Sequence, residues 1–387
     1  MRRMATLALI VGLSSASSLL AQAGSAERPA AAPPVIGPGS TPDVQVTETA
    51  VAPPDSNKAS LLVAPIPFYN SQLGAGLVGM VGVLKRLGDE PTTPASALGT
   101  FGMITTNGTW GIGLGGRAHL ADDAWRTLLG TGYFDIRFKY YGTGGESDQS
   151  VDLRQTIVPV RVEALRRVVR GVYLGAQVQY AKVRTGVEFD SAAYGLPPFD
   201  VEPRTSDELL LTPMFELDSR DDQFYPTRGW LVDASASFLS SQLASDSTMQ
   251  RVDVFATWQH GWDEKQNVVA AALQACYATG QVPINHLCLV GGINGLRGYE
   301  PGRYLDRTQV TLQAEYRRRL GRFGVTAFAG VAQIAPTPGE LSTHDLLAAA
   351  GVGLRFRLTK QFPINYRFDA AFGGDGAQLY FSVGEAF

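Results

Sequence analysis

Residues Gln309 to Leu320, "QVTLQAEYRRRL", put Val310, Leu312, Ala314 and Tyr316 on one side of an extended chain and Gln309, Thr311, Gln313, Glu315 and Arg317 on the other. Side chains alternate across a strand with a period of two, so this segment makes a strand with one apolar face and one ionised face. "INYRFDAAFG" repeats the pattern, with Ile364, Tyr366, Phe368, Ala370 and Phe372 opposing Asn365, Arg367 and Asp369. Between Arg251 and Trp262, Val252, Val254, Ala256 and Trp258 oppose Arg251, Asp253, Thr257 and Gln259. Such runs recur from Ala59 onward, and no helical stripe of comparable length interrupts them.

Run length decides between two all-β architectures. A soluble sandwich alternates over short strands of ~5 to 6 residues, and these runs are about twice as long. Strands of ~9 to 11 residues or more, tilted in hydrocarbon with apolar side chains outward and charged ones inward, describe an antiparallel transmembrane β-barrel. Lipid cannot hydrogen-bond an open edge, so closure is expected. Turn signals delimit sixteen strands between residues 60 and 386, an even number. "ADDA", "DEKQ" and "LGR" are short connections, whereas 141–150, 185–206, 240–250, 280–307 and 335–344 are long. Short periplasmic turns and long external loops are the expected asymmetry. The connection from Asp218 to Arg228 departs from it, being long at a periplasmic position.

The N-terminus supplies the address. Arg2 and Arg3 precede the apolar stretch "MATLALIVGLSSASSLL", and Ala21-Gln22-Ala23 ends it as a small-residue cleavage site. Residues 1–23 are therefore expected to be an export signal cut after Ala23, which sends the barrel to the bacterial outer membrane. Residues 24–57 are rich in Pro, Ala and small polar groups, too poor in large apolar side chains to offset ordering entropy, and are expected to form a disordered periplasmic linker. The barrel domain is expected over 58–387.

Composition excludes other classes. Charged residues are 18% of the chain, below the ~25% usual for soluble proteins, while glycine accounts for 43 of 387 residues. A net charge of −3 offers no basic excess for nucleic acid. Four scattered histidines and two cysteines give no metal-ligand spacing, so neither a metal nor a cofactor is expected. A barrel lipase needs a serine, a histidine and an orienting group together on the lipid face; His260 is outward, His119 inward, and no matching serine accompanies them. No enzymatic role is expected. In an exported chain, Cys276 near the outer end of the eleventh strand and Cys288 in the loop beyond it are expected to form a disulfide.

The loop between the eleventh and twelfth strands contains "GGINGLRGYEPGRY", Gly291 to Tyr304. Its "LRGYEPGRY" resembles the VRGF/Y signature of the BamA/TamA-type bacterial surface antigen superfamily, whose members are sixteen-stranded outer-membrane barrels. "DSRDDQFYPTRGW", Asp218 to Trp230, resembles that family's DxRDxxxxPxxG segment after strand eight. In "QLYFSVGEAF", Leu379, Phe381 and Val383 share a face with Phe387, resembling the terminal signal read by the outer-membrane assembly machinery; Glu385 breaks the alternation and is expected at the membrane interface.

The resemblance implies that the long loop folds back into the lumen, with Leu296, Arg297, Gly298 and Tyr299 as its motif and the Arg297 guanidinium paired with an acid on a nearby strand. The family's FxDxG segment stands here as Phe328-Ala329-Gly330-Val331-Ala332, without the aspartate. Glu315 becomes the first candidate partner, with Asp369 behind it. Asp218, Arg220 and Asp221 are expected to form a turn cluster in which Arg220 bridges carboxylates, and Pro226 and Gly229 set the chain reversal. The implied function is membrane-protein insertion or polypeptide translocation across the outer membrane. Family members that do this carry periplasmic POTRA domains, for which 24–57 has no room, leaving a place for a separate periplasmic partner beside membrane lipid. The alternative is a passive channel or structural barrel with the loop as plug.

Overall fold

In the computed structural model the described residues are 59–70, 72–88, 93, 95–145, 147, 149–188, 202–222, 225–243, 245–291, 295–357 and 365–387. The expected export signal and linker lie outside them. The strands are β1 (Ser60–Asn70), β2 (Gly74–Arg86), β3 (Ala95–Thr105), β4 (Trp110–Leu120), β5 (Trp125–Tyr140) and β6 (Val151–Val169). Then come β7 (Val172–Val187), β8 (Arg204–Asp218), β9 (Arg228–Leu239), β10 (Met249–Trp262) and β11 (Asn267–Gly280). Two short strands follow, β12 (Cys288–Val290) and β13 (Tyr304–Asp306). The last are β14 (Thr308–Leu320), β15 (Phe323–Ala335), β16 (Leu347–Arg357), β17 (Asn365–Gly373) and β18 (Gly376–Val383).

All the long strands pair antiparallel with their sequence neighbours in one sheet, which runs from β1 to β11 and continues through β14 to β18. β12 and β13 pair only with each other, as a small hairpin inside the long loop. Alternation produces the two faces of the sheet, and their polarity is the reverse of a soluble protein's. On β14 the exposed side chains include Leu312 (51%) and Leu320 (53%), while Thr311, Gln313, Glu315 and Arg317 are buried. On β4, Ile112 and Leu114 face out while Arg117 and His119 are buried. An apolar outer belt of this extent suits hydrocarbon better than water.

Two of the tight turns hold three successive non-glycine residues in the left-handed region, Ala121-Asp122-Asp123 and Asp263-Glu264-Lys265. Each is closed by a backbone bond, Ala124 N–H to Ala121 O at 3.0 Å and Gln266 N–H to Asp263 O at 2.9 Å. Aspartate tolerates this region better than most residues. Asp123 is fixed further by Arg126 and by the Tyr173 hydroxyl.

The last strand ends earlier than its apolar alternation. β18 stops at Val383, and Gly384 takes a φ of +94°. The chain then leaves the sheet and turns inward. Phe387 is buried against Ala270 and Ala272 and does not share the outer face of Phe381, which packs on Phe368 with ring centroids 4.5 Å apart. The expectation that Phe381, Val383 and Phe387 form one apolar face is corrected accordingly: the left-handed glycine ends the period-two geometry before Phe387.

Candidate functional site: a loop pinned to the inner wall

The segment joining β11 to β14 packs on the charged inner face of the sheet. At its root, Cys276 on β11 and Cys288 on β12 are bridged, with Cα atoms 5.7 Å apart. A short 3-10 turn, Ile284–His286, follows β11. Ile284 and Leu287, joined by Leu305 of β13, pack on inward side chains of β5 to β7, among them Phe134, Phe138, Ile157 and Val183. Asn285 donates to Glu208 of β8 at 2.6 Å, and His286 Nε2 lies 3.1 Å from the same carboxylate. One side of the loop is thus held to the early strands by apolar burial capped with a polar tether.

The other side meets β14 to β18. Leu296 and Tyr299 pack with Val290, Ala332 and Ala349. The backbone needs a glycine at 298, where φ is +112° and an added Cβ would lie 2.9 Å from that of Ala349. Its N–H donates to the Tyr380 hydroxyl at 2.7 Å, and the Tyr299 hydroxyl donates to Ala348 O at 3.0 Å. Gly330, standing where the family pattern has aspartate, has a steric reason. A Cβ there would come within 2.6 Å of Gln313 Cγ and 2.8 Å of Leu296 Cδ1. A side chain at 330 would force Gln313 and the end of the Leu296 side chain to shift.

Arg297 lies between these contacts and is 1% exposed. Its Nη1 is 2.8 Å from Glu315 Oε2 and 2.7 Å from Asp369 Oδ2, so both candidate acids pair with it rather than one standing behind the other. Its guanidinium carbon sits 3.5 Å above the Phe328 ring, and Gln313 receives its Nε at 3.4 Å. The same carboxylates serve further cations. Arg355 bonds Asp369 at 2.6 Å, Arg317 bonds Glu315 at 2.7 Å, and Arg367 reaches Asp369 at 3.3 Å. Glu385 joins from beyond β18, 2.7 Å from Arg355 and 3.7 Å from Arg317. It points inward, correcting the expectation of an interfacial carboxylate, because the chain has already left the strand. Four guanidiniums, of Arg297, Arg317, Arg355 and Arg367, therefore share three carboxylates, of Glu315, Asp369 and Glu385. Burial without such pairing would cost several kcal/mol per ion.

The turn between β8 and β9 forms a second, separate cluster. Arg220 holds Asp218 with two bonds of 2.8 Å, and Asp221 accepts from Thr227 N–H, Thr227 Oγ1, Arg228 N–H and Lys265 Nζ at 2.6 to 3.0 Å. Burial pushes the Asp221 carboxyl up, but the Thr227, Lys265 and Arg228 donors outweigh it and bring the pKa down to about 2. Pro226 is buried, and Gly229 (φ +117°) passes so near Ser219 O that a Cβ would lie 2.4 Å away. Tyr225 carries the turn inward, beneath the Arg319 guanidinium at 3.7 Å. These bonds tie a chain reversal, and Tyr225 brings the turn beside Arg317 and Arg355 of the Arg297 cluster.

Sequence reasoning missed the Phe328 stack, the Gln313 and Tyr380 contacts and the inward Glu385. The alternation marks Arg317, Arg355 and Arg367 as inward, but nothing local says that they converge on one pair of acids. Among the described residues no group of three or more His, Cys, Asp or Glu side chains is arranged to hold a metal. The cluster can hold a loop in place against the wall; it offers no nucleophile beside a base.

A family model described as the Omp85 superfamily domain matches residues 129–387. BamA from Haemophilus ducreyi, solved lacking POTRA domains 1-3, is similar at 14% identity and a TM-score of 0.59, over 85% of this chain and 70% of that one. CdiB from Acinetobacter baumannii is similar at 10% identity and a TM-score of 0.56, over 84% of this chain and 59% of that one. CdiB from Escherichia coli matches at 11% identity with the same score, over 84% of this chain and 62% of that one. The chain thus spans less than two thirds of either CdiB. Identities this low show the fold alone. No curated protein matches the sequence.

Proposed function

Because the chain belongs to the Omp85 superfamily, as an outer-membrane β-barrel of the BamA and TamA kind, we propose that it inserts polypeptides into the outer membrane or passes them across it. In this reading β1 meets β18, the sheet closes as a sixteen-stranded transmembrane barrel, and the loop between β11 and β14 shuts the pore at rest. Closure removes the edges that lipid cannot satisfy. The observation that carries the reading is the burial of Arg297 between Glu315 and Asp369, which links the loop to the inner face of β14 and β17. A guanidinium shared by two acids can leave when cargo arrives, because the acids keep Arg317 and Arg355 as partners. Cargo then comes from a separate periplasmic partner, and the protein performs no covalent chemistry.

The test is deletion of the gene in its host with quantitative proteomics of the outer membrane. Loss of a defined set of exported polypeptides, restored by the wild-type chain but not by Arg297→Ala, is expected. An unchanged protein profile would favour a second reading, a passive or structural barrel. That reading has support in the apolar packing of Ile284, Leu287 and Leu305 across the lumen, which looks built to stay shut. Bilayer conductance before and after deletion of residues 285–306 separates a plugged pore from a solid scaffold.

A further inference from the structure

Above the pinned loop, at the end of the sheet where the connections are long, a cavity of about 1190 Å³ opens outward. Its floor is the apolar start of the loop, Val282, Pro283, Ile284 and Leu287, with Ile334 and Leu347 on the far side. Its walls carry the carboxylates of Glu208, Asp246, Asp306, Glu340 and Asp345 against the guanidiniums of Arg204 and Arg307. Five acids against two bases leave a negative excess facing an apolar base. Glu208 is engaged by Asn285 and His286, so the remaining acids set the field at the mouth. Asp306 is buried, and burial together with the nearby Glu340 holds its carboxyl above the usual carboxylate range despite the Arg307 N–H that it accepts. Asp306 and Glu340 both line the cavity, and a cation placed between two carboxylates favours their charged forms.

We propose that this cavity binds an amphipathic cationic peptide arriving from outside, apolar side chain on the Val282–Leu287 floor and ammonium groups among Asp306, Glu340 and Asp345. The volume lies just above the ~300–1,000 Å³ of ordinary ligand sites, too large for a bare ion and sufficient for a few residues of peptide. Apolar contact supplies affinity, while the charge excess supplies selection and a faster encounter. Residues 281–284 and 287 of the loop line the cavity, so a ligand held there rests on the loop itself. Binding here does not require that the barrel move polypeptide, so the two proposals fail independently.

The experiment uses the full chain in nanodiscs of zwitterionic phosphatidylcholine, which removes competing anionic lipid. The probe is a dansylated Lys-Trp-Lys amide, with the same peptide acetylated on both lysines as the neutral control. Saturable binding of the cationic probe, weakening with added salt, is expected, with the neutral control bound at least about tenfold more weakly, ~1.4 kcal/mol. The Glu340→Lys/Asp345→Lys double variant should lose at least the same factor; both positions are exposed, so the fold survives the exchange. Asp152→Lys, exposed on β6 and outside the cavity lining, should stay near wild type. Equal binding of the neutral peptide, or an undiminished affinity in the double variant, overturns the proposal.

Discussion

Removing Glu315 should damage the protein more than removing its partner Arg297. Glu315, like Asp369, is shared by three guanidiniums, with Arg317 at 2.7 Å, Arg297 at 2.8 Å and Arg355 at 3.6 Å. In Glu315→Gln four buried guanidiniums are left with two carboxylates; in Arg297→Met three guanidiniums face three carboxylates. Breaking one side of a buried pair typically costs ~3–5 kcal/mol, because the survivor keeps an uncompensated charge. Arg297→Met belongs at about 3 kcal/mol, since Arg317 and Arg355 continue to neutralise the acids, and Glu315→Gln at about 5 kcal/mol or above. The double variant returns the cluster to the wild-type surplus of one positive charge, so its cost should fall short of the sum by about 2 kcal/mol. The assay is urea unfolding of the barrel folded in lipid vesicles, followed by tryptophan fluorescence, with protease cleavage of the 291–304 segment reporting loop release. Additivity within ~0.5 kcal/mol, or a larger loss for Arg297→Met than for Glu315→Gln, would refute the shared-acid account.

Gly298→Ala should unseat the loop at a cost of about 1–3 kcal/mol, from the positive φ and the approach to Ala349 together; limited proteolysis reads the release, and a wild-type cleavage rate counts against it. Reduction of Cys276–Cys288, or replacement of both by serine, should lower unfolding stability by about 2–4 kcal/mol and speed labelling of the loop root, as followed by mass spectrometry. Asp221 has a folded pKa near 2, below its ordinary value, so its stabilisation of the turn is complete above the unfolded pKa and disappears as pH falls toward 2. Wild type should therefore lose stability relative to Asp221→Asn across that interval in acid unfolding, and parallel profiles would contradict it.

Much of the candidate site was legible because its signals are local. Gly229 was readable as part of a chain reversal, Gly298 as part of the loop motif, and Cys276 and Cys288 as partners once export was inferred. Tertiary geometry was needed wherever two distant strands meet. Asp218 and Arg220, two residues apart, pair as neighbours, whereas Arg297 and Asp369 are 72 apart and meet only because the loop packs on the inner face of β17. The glycine at 330 read as a missing aspartate; in space it is the notch that admits Leu296.

By itself the sequence determined the two-faced strands, their order and which side chains point inward, because alternation follows from backbone geometry within a few residues. Only the tertiary structure decided that Glu315 and Asp369 both hold Arg297, that Phe328 lies under it, and that Glu385 and Phe387 turn in behind β18. Those contacts depend on strand tilt, register and the curvature of the whole sheet. Such quantities accumulate over many strands and are written in no single one of them.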